Sequence, residues 1–215
     1  MELAPVILFV YNRPEHTRIC LEHLEQNKLA AESELYIFAD GAKPGSEEAV
    51  AAVRRVVSRP WKFRRVTVVE RPENRGLAAN VIDGVTTVLK QYDRVIVLED
   101  DLVVSPWFLR FMNDALETYK EEEQVCHVTC HMLDHKGRLP ETFLIKWCNS
   151  WGWGTWRRAW QYFEPDGAKL LHEIESRGLC WQFDLDGGFH FTQMLRDQIA
   201  GRNNSWFVRW YASLF

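Results

Sequence analysis

The sequence predicts an α/β fold, with a mostly parallel sheet and helices on both faces. Three observations carry this. Short apolar runs rich in β-branched residues recur through the first 130 residues, bounded by Gly, Pro, Asn or charged residues. Between them lie stretches of helical length, and strands separated by helices of about 10–15 residues imply βαβ units with right-handed crossovers. Each apolar run also ends on polar or charged residues, and the carboxyl ends of parallel strands are where such sheets bind ligands.

Val6–Tyr11 reads as a fully buried strand. Met1–Pro5 lead into it with no basic segment or cleavage site, so the stretch is read as a strand and not a signal peptide. Pro14 opens a helix to about Asn27, because proline is tolerated where no N–H partner exists. Leu35–Ala39 is the second strand, and after the Gly41…Pro44-Gly45 turn Ser46 is placed to cap a helix through Val57. Arg65–Glu70 is a third strand, Leu77–Lys90 a helix, Arg94–Leu98 a fourth strand and Pro106–Lys120 a helix behind it. Gln124–Cys130 looks like a fifth strand. Residues 131–215 are less regular, with one helix expected near Gly188–Ala200. The expected organisation is a βαβ half over 1–130 and a second half of the same domain over 131–215. Trp206–Phe215 stops on apolar residues without a polar tail, so a C-terminal continuation is expected.

Composition excludes several classes. With 215 residues, 47% apolar and 26% charged, the chain can bury an ordinary globular core. A net charge of −4 gives no field favouring nucleic acid. No apolar run is long enough to span a bilayer, so membrane contact is expected to be peripheral at most. Five scattered cysteines fit a reducing cytoplasm better than a disulfide framework. Ten tryptophans, six of them between Trp147 and Trp181, offer either core filling or platforms for sugars and bases.

The strand-end rule selects Tyr11-Asn12-Arg13, Asp40-Gly41, Glu70–Asn74, Glu99-Asp100-Asp101 and the segment after Cys130. Three adjacent carboxylates at a strand end repel one another unless a cation or donors compensate. Mn²⁺ or Mg²⁺ suits such a place, since hard ions take a few carboxylates and complete their shell with phosphate oxygens and water.

Taken in order, Tyr11-Asn12-Arg13-Pro14, Asp40, Asn74-Arg75-Gly76-Leu77…Asn80 and Glu99-Asp100-Asp101 resemble the donor-site loops of GT-A glycosyltransferases, whose fold is a Rossmann-like nucleotide-diphospho-sugar transferase fold. The acidic triplet followed by Ser105-Pro106-Trp107-Phe108 is similar to the N-acetylglucosaminyltransferase I type. Ser150–Trp156 resembles the Ser-Trp-Gly-Trp-x-Thr-Trp segment of bacterial family-2-like sugar transferases. The resemblance implies transfer of a sugar from a nucleotide-diphosphate sugar, with UDP expected, to a glycan or glycolipid. It implies that Tyr11, Asn12 and Arg13 line the base and ribose pocket, that Asp40 accepts from the base and that Arg75 pairs with the diphosphate. Asp101 would be the metal ligand, with Glu99 and Asp100 on ribose or donor hydroxyls, and the first 130 residues would be the nucleotide-sugar half.

An inverting reaction needs a general base on the acceptor hydroxyl. The resemblance implies an Asp or Glu near the start of a late helix, and in Phe183-Asp184-Leu185-Asp186-Gly187-Gly188 Asp186 is the first choice, Asp184 the second and His190 a third. Cys126, His127, Cys130, His131 and His135 would suit zinc on a helix, but an extended run splays them, so they are read as core. Trp206–Trp210 resembles the Gln-x-x-Arg-Trp signature of processive synthases with Trp206 in place of glutamine, and is read as packing. The alternatives are a sugar-phosphate nucleotidyltransferase, against which the glycine-free Tyr11–Pro14 loop counts, and a non-catalytic carbohydrate-binding module.

Overall fold

The computed structural model describes residues 2–132 and 136–215 and divides into two compact units. One comprises Met1–Met132 with Asn149–Trp160, the other Leu133–Cys148 with Gln161–Phe215. The chain therefore returns to its first unit after residue 148, a recrossing that composition does not announce.

The first unit holds one six-stranded sheet in the order β3-β2-β1-β4-β6-β5. Strands β1 (Val6–Val10), β2 (Glu34–Ala39), β3 (Arg65–Glu70) and β4 (Arg94–Glu99) are mutually parallel, as the βαβ pattern requires. β1 and β4 sit centrally, and their apolar runs are buried because helices cover both faces. Helices α1 (Pro14–Glu25), α2 (Glu47–Val57) and α4 (Phe108–Thr118) pack with Val6, Leu8 and Val10 into one core. On the opposite face α3 (Leu77–Leu89) lies so close that Gly84 touches Phe9 and Phe38.

Two expectations are corrected here. The fifth strand is only Val128–Thr129 (β5), not Gln124–Cys130, because Glu121–Gln124 turn in solvent. A sixth strand, β6 (Trp153–Trp156), inserts antiparallel between β4 and β5, pairing Val97 with Trp153 and Thr129 with Trp153 on its two sides. A short helix, α5 (Arg157–Trp160), follows it.

The second unit is helical: α6 (Gly167–Ser176), α7 (Cys180–Phe183), α8 (Phe191–Ile199) and α9 (Trp206–Leu214). Asp166 caps α6 by accepting from Ala168 N at 2.9 Å, and Ser205 caps α9 through Val208 N at 3.2 Å. Its core is aromatic, with Phe183 stacked on Tyr211 at 4.7 Å between centroids and edge-on to Phe215. Among the described residues no helix is long and apolar enough to cross a membrane.

Candidate functional site

The carboxyl ends of β1, β2 and β4 are where the chemistry gathers. Parallel pairing sets Phe9 beside Glu99 and Val10 beside Ala39, so the loops that follow these strands emerge side by side. The Arg13 guanidinium at the end of the first loop bonds to Asp100 and, at 3.1 Å, to Asp101. One turn into α1, the Thr17 hydroxyl lies 3.3 Å from Asp100 Oδ2 and 2.9 Å from the Arg13 carbonyl.

The three acids are thus unlike one another. Asp100 is buried, and burial holds its carboxyl above the ordinary range despite the Arg13 and Thr17 bonds. Burial, with Asp101 and Asp100 adding like charge, pushes Glu99 up to about 7. Asp101 has a side chain 45% exposed, and only its Oδ2 is bonded among the described residues. Beneath them the Cys20 thiol is pushed up to about 12 by burial and the two aspartates, which makes it inert.

Asp40 ends β2 as a buried clamp. Its Oδ1 accepts from Gly41 N and Arg75 N, both at 2.9 Å, and its Oδ2 from Asn74 Nδ2 at 3.0 Å and Gly76 N at 2.9 Å. Asn74 also donates to the Gly41 carbonyl at 2.9 Å. The loop after β3 lies so tightly on β2 that a Cβ at Gly41 would overlap the backbone of Glu73, which is why glycine follows Asp40. The carboxylate expected to meet a base is fully engaged by this loop.

The remaining expected residues have assigned neighbours. Tyr11 Oη lies 2.9 Å from Ser46 Oγ, so Ser46 closes the Lys43–Ser46 turn and makes no side-chain bond to the start of α2. Asn12 is partly buried. Arg75 forms a 3.2 Å ion pair with Asp83 of α3, an acid it shares with Arg71. In the second unit, Asp184 Oδ1 accepts from Thr192 N at 2.6 Å and so serves α8. Asp186 is exposed, in a left-handed backbone run with Leu185 and Gly187 at φ of 53°, 55° and 79° for residues 185 to 187. His190 is the exposed residue preceding α8.

Among the described residues no three ligating side chains converge, and His135 lies outside those residues. His127 stacks on Trp153 at 5.4 Å and lies 2.9 Å from the Asn149 carbonyl, while burial lowers its pKa to about 4. Cys130 is exposed, so the reading of this whole run as core fails at its end. Half of the ten tryptophans fill the core (Trp153, Trp156, Trp160, Trp206 and Trp210), Trp61 and Trp147 are partly buried, and Trp107, Trp151 and Trp181 are largely exposed. Arg209 of the Trp206–Trp210 segment is likewise buried and bonds to the Ser205 carbonyl at 3.1 Å.

For a divalent ion the donor set fits one arrangement. A hard cation can be held by a single carboxylate when substrate phosphates and water complete its shell, and Asp101 offers that carboxylate in the open. Sequence reasoning missed Thr17 as a partner of Asp100; its spacing, one helical turn after Arg13, was the available signal.

The sequence profile of Glycosyl transferase family 2 matches residues 6–161. No curated protein matches the sequence. Among solved structures the chain is similar to the mannosyltransferase PcManGT from Pyrobaculum calidifontis in complex with GDP-Man and Mn²⁺, at 20% identity and TM-score 0.44, over 60% of this chain and 35% of that one. It is similar to S. aureus TarS 1–349 at 19% identity and TM-score 0.40, over 64% and 38%. It is similar to apo mouse xyloside xylosyltransferase 1 at 12% identity and TM-score 0.44, over 87% and 76%. The chain spans less than two fifths of the length of the first two. The profile match covers well over half the chain, including Arg13, Asp40 and the acidic triplet, and the chain belongs to glycosyl transferase family 2, with the GT-A type of α/β sheet.

Proposed function

We propose that the chain binds a nucleotide-diphosphate sugar, UDP-linked in our reading, across the carboxyl ends of β1, β2 and β4 and transfers its sugar to a glycan or glycolipid hydroxyl. The observation that carries this is the meeting of Arg13 with Asp100 and Asp101 beside the Asp40 clamp. A guanidinium and an exposed carboxylate at one strand end supply both signs of charge that a diphosphate and its counter-ion require. Tyr11, Asn12 and Arg13 would line the base and ribose, and Arg75 would turn from Asp83 to the diphosphate. Asp40 would act on the base through the loop it holds. Glu99 and Asp100 would face ribose or donor hydroxyls. Mn²⁺ or Mg²⁺ held by Asp101 would neutralise charge on the leaving diphosphate.

For an inverting reaction we assign the general base to Asp186. Asp184 is spent on α8, whereas Asp186 is exposed on a left-handed turn of the backbone. The localisation in this reading is cytoplasmic, with peripheral membrane contact at most. Calorimetry with UDP, GDP and dTDP, each with and without Mn²⁺, tests it. Metal-dependent binding of at least one is expected; binding of none would remove the donor-site assignment.

A further inference from the structure

β6 begins beside Val97, two residues before the carboxyl end of β4. Val97 pairs with Trp153, and Trp153 with Thr129 on its other side. The pairing ends there: the backbone turns at Gly152, at φ of 68°, so Trp151 leaves the ladder near the carboxyl end of β4. A Cβ at Gly152 would meet Phe108 at 3.1 Å and Leu98 at 3.7 Å, so this turn packs against the end of β4.

Trp151 is 51% exposed, unlike the buried tryptophans that follow it. Its ring is held from the side by His131, at 4.4 Å between centroids and 68° between planes. His131 is itself oriented. Asn149 Oδ1 accepts from Trp151 N at 2.8 Å, so the amide must turn Nδ2 to His131 Nδ1, also at 2.8 Å. His131 Nδ1 is then an acceptor, and the neutral ring carries its proton on Nε2. Asn149 is buried. A large exposed indole braced by an oriented imidazole loses little freedom on binding, which is the property of a stacking platform.

We infer that Trp151 is the platform for a pyranose ring in the transfer reaction, with His131 as the residue that positions the indole. This rests on the donor-site reading above. A pyranose presents an apolar C–H face, which an exposed and braced indole can cover. The ring can belong to the donor or the acceptor, and the test separates them.

Wild type, Trp151→Ala, Trp151→Phe and His131→Ala are titrated by calorimetry in Mn²⁺ with bare UDP, GDP and dTDP, with the corresponding nucleotide-hexoses, and, at saturating nucleotide, with methyl hexopyranosides. Circular dichroism checks each fold. Trp151→Ala is expected to weaken a sugar-bearing ligand about tenfold, the equivalent of one aromatic contact, while bare nucleotides stay within about twofold. Trp151→Phe, which keeps a ring and guards against misfolding, is expected to retain most of the affinity, and His131→Ala to fall between. Loss confined to nucleotide-hexoses assigns the ring to the donor, and loss confined to methyl hexopyranosides to the acceptor. Unchanged binding of every sugar by Trp151→Ala, or an equal loss for bare nucleotides, which would make the indole a base platform, overturns the inference. If wild type binds no nucleotide, the donor-site reading fails and this falls with it; if nucleotides bind and only the sugar effect is missing, this inference alone fails.

Discussion

Replacing Asp40 by asparagine changes one oxygen to an NH₂ and nothing in size, yet the structure makes it a severe change. Both carboxylate oxygens accept two donors each: Gly41 N with Arg75 N, and Asn74 Nδ2 with Gly76 N. Whichever way an asparagine amide turns, its NH₂ meets two N–H groups, and one half of the clamp is lost. Bonds to a charged acceptor contribute about 1.5–3 kcal/mol each, but they are not additive and the exposed loop can return some donors to water. We therefore expect a loss of about 2–4 kcal/mol for Asp40→Ala and roughly half to three quarters of that for Asp40→Asn. For a chain of this size 2–4 kcal/mol corresponds to a Tm lowered by about 5–15 °C. Calorimetric melting gives the total, and amide exchange at Arg75 and Gly76 localises it. Nucleotide affinity should fall in step with loss of protection in this loop. If Asp40→Asn melts within about 1 °C of wild type and the Gly76 amide stays protected, the clamp is not what holds the loop.

Asp101→Ala should abolish Mn²⁺-dependent nucleotide binding with little change in Tm, because its side chain is 45% exposed; equal Mn²⁺ dependence in mutant and wild type would remove it as the ligand. Asp186→Asn should lower turnover at least about 10²-fold, the low end for loss of a general base, with donor affinity unchanged, and near-normal turnover would exclude it. Stability should fall in acid on account of His127, lowered from an ordinary 6.5 to about 4. The unfolded chain takes up that proton as pH drops below 6.5 while the folded one does not, so stability is lost between pH 6.5 and 4. The loss amounts to about 3 kcal/mol at most, and a His127→Gln chain whose urea midpoint shows the same acid slope would refute this origin.

The parallel strands were legible because each is a compact apolar run that only burial on both faces explains, and their ends named the loops that matter. β6 was not legible. Trp153-Gly154-Thr155-Trp156 has no β-branched run, and Gly154 stands in it because a Cβ would press on the Val95 carbonyl at 2.9 Å and on Met112 at 3.1 Å. Only the partner strand supplies that reason. The identities of Asp40 and Arg13 were visible, but not their partners, which lie 34 to 36 and 87 or 88 residues away along the chain. A turn or cap can be read from neighbours in sequence; a clamp across three loops depends on sheet register.

The insertion of β6 also sets an order on synthesis. β4 pairs with β1 on one side and with Trp153–Trp156 on the other, so the four parallel strands can assemble while its second edge still lacks a partner. β5 has been made by then but has nothing to join, since β6 separates it from β4. During translation of some fifty residues after Glu99 the nascent protein therefore carries a bare, apolar strand edge, the feature that invites pairing with another chain. The glycine- and tryptophan-rich segment at 150–156 is the piece that seals it.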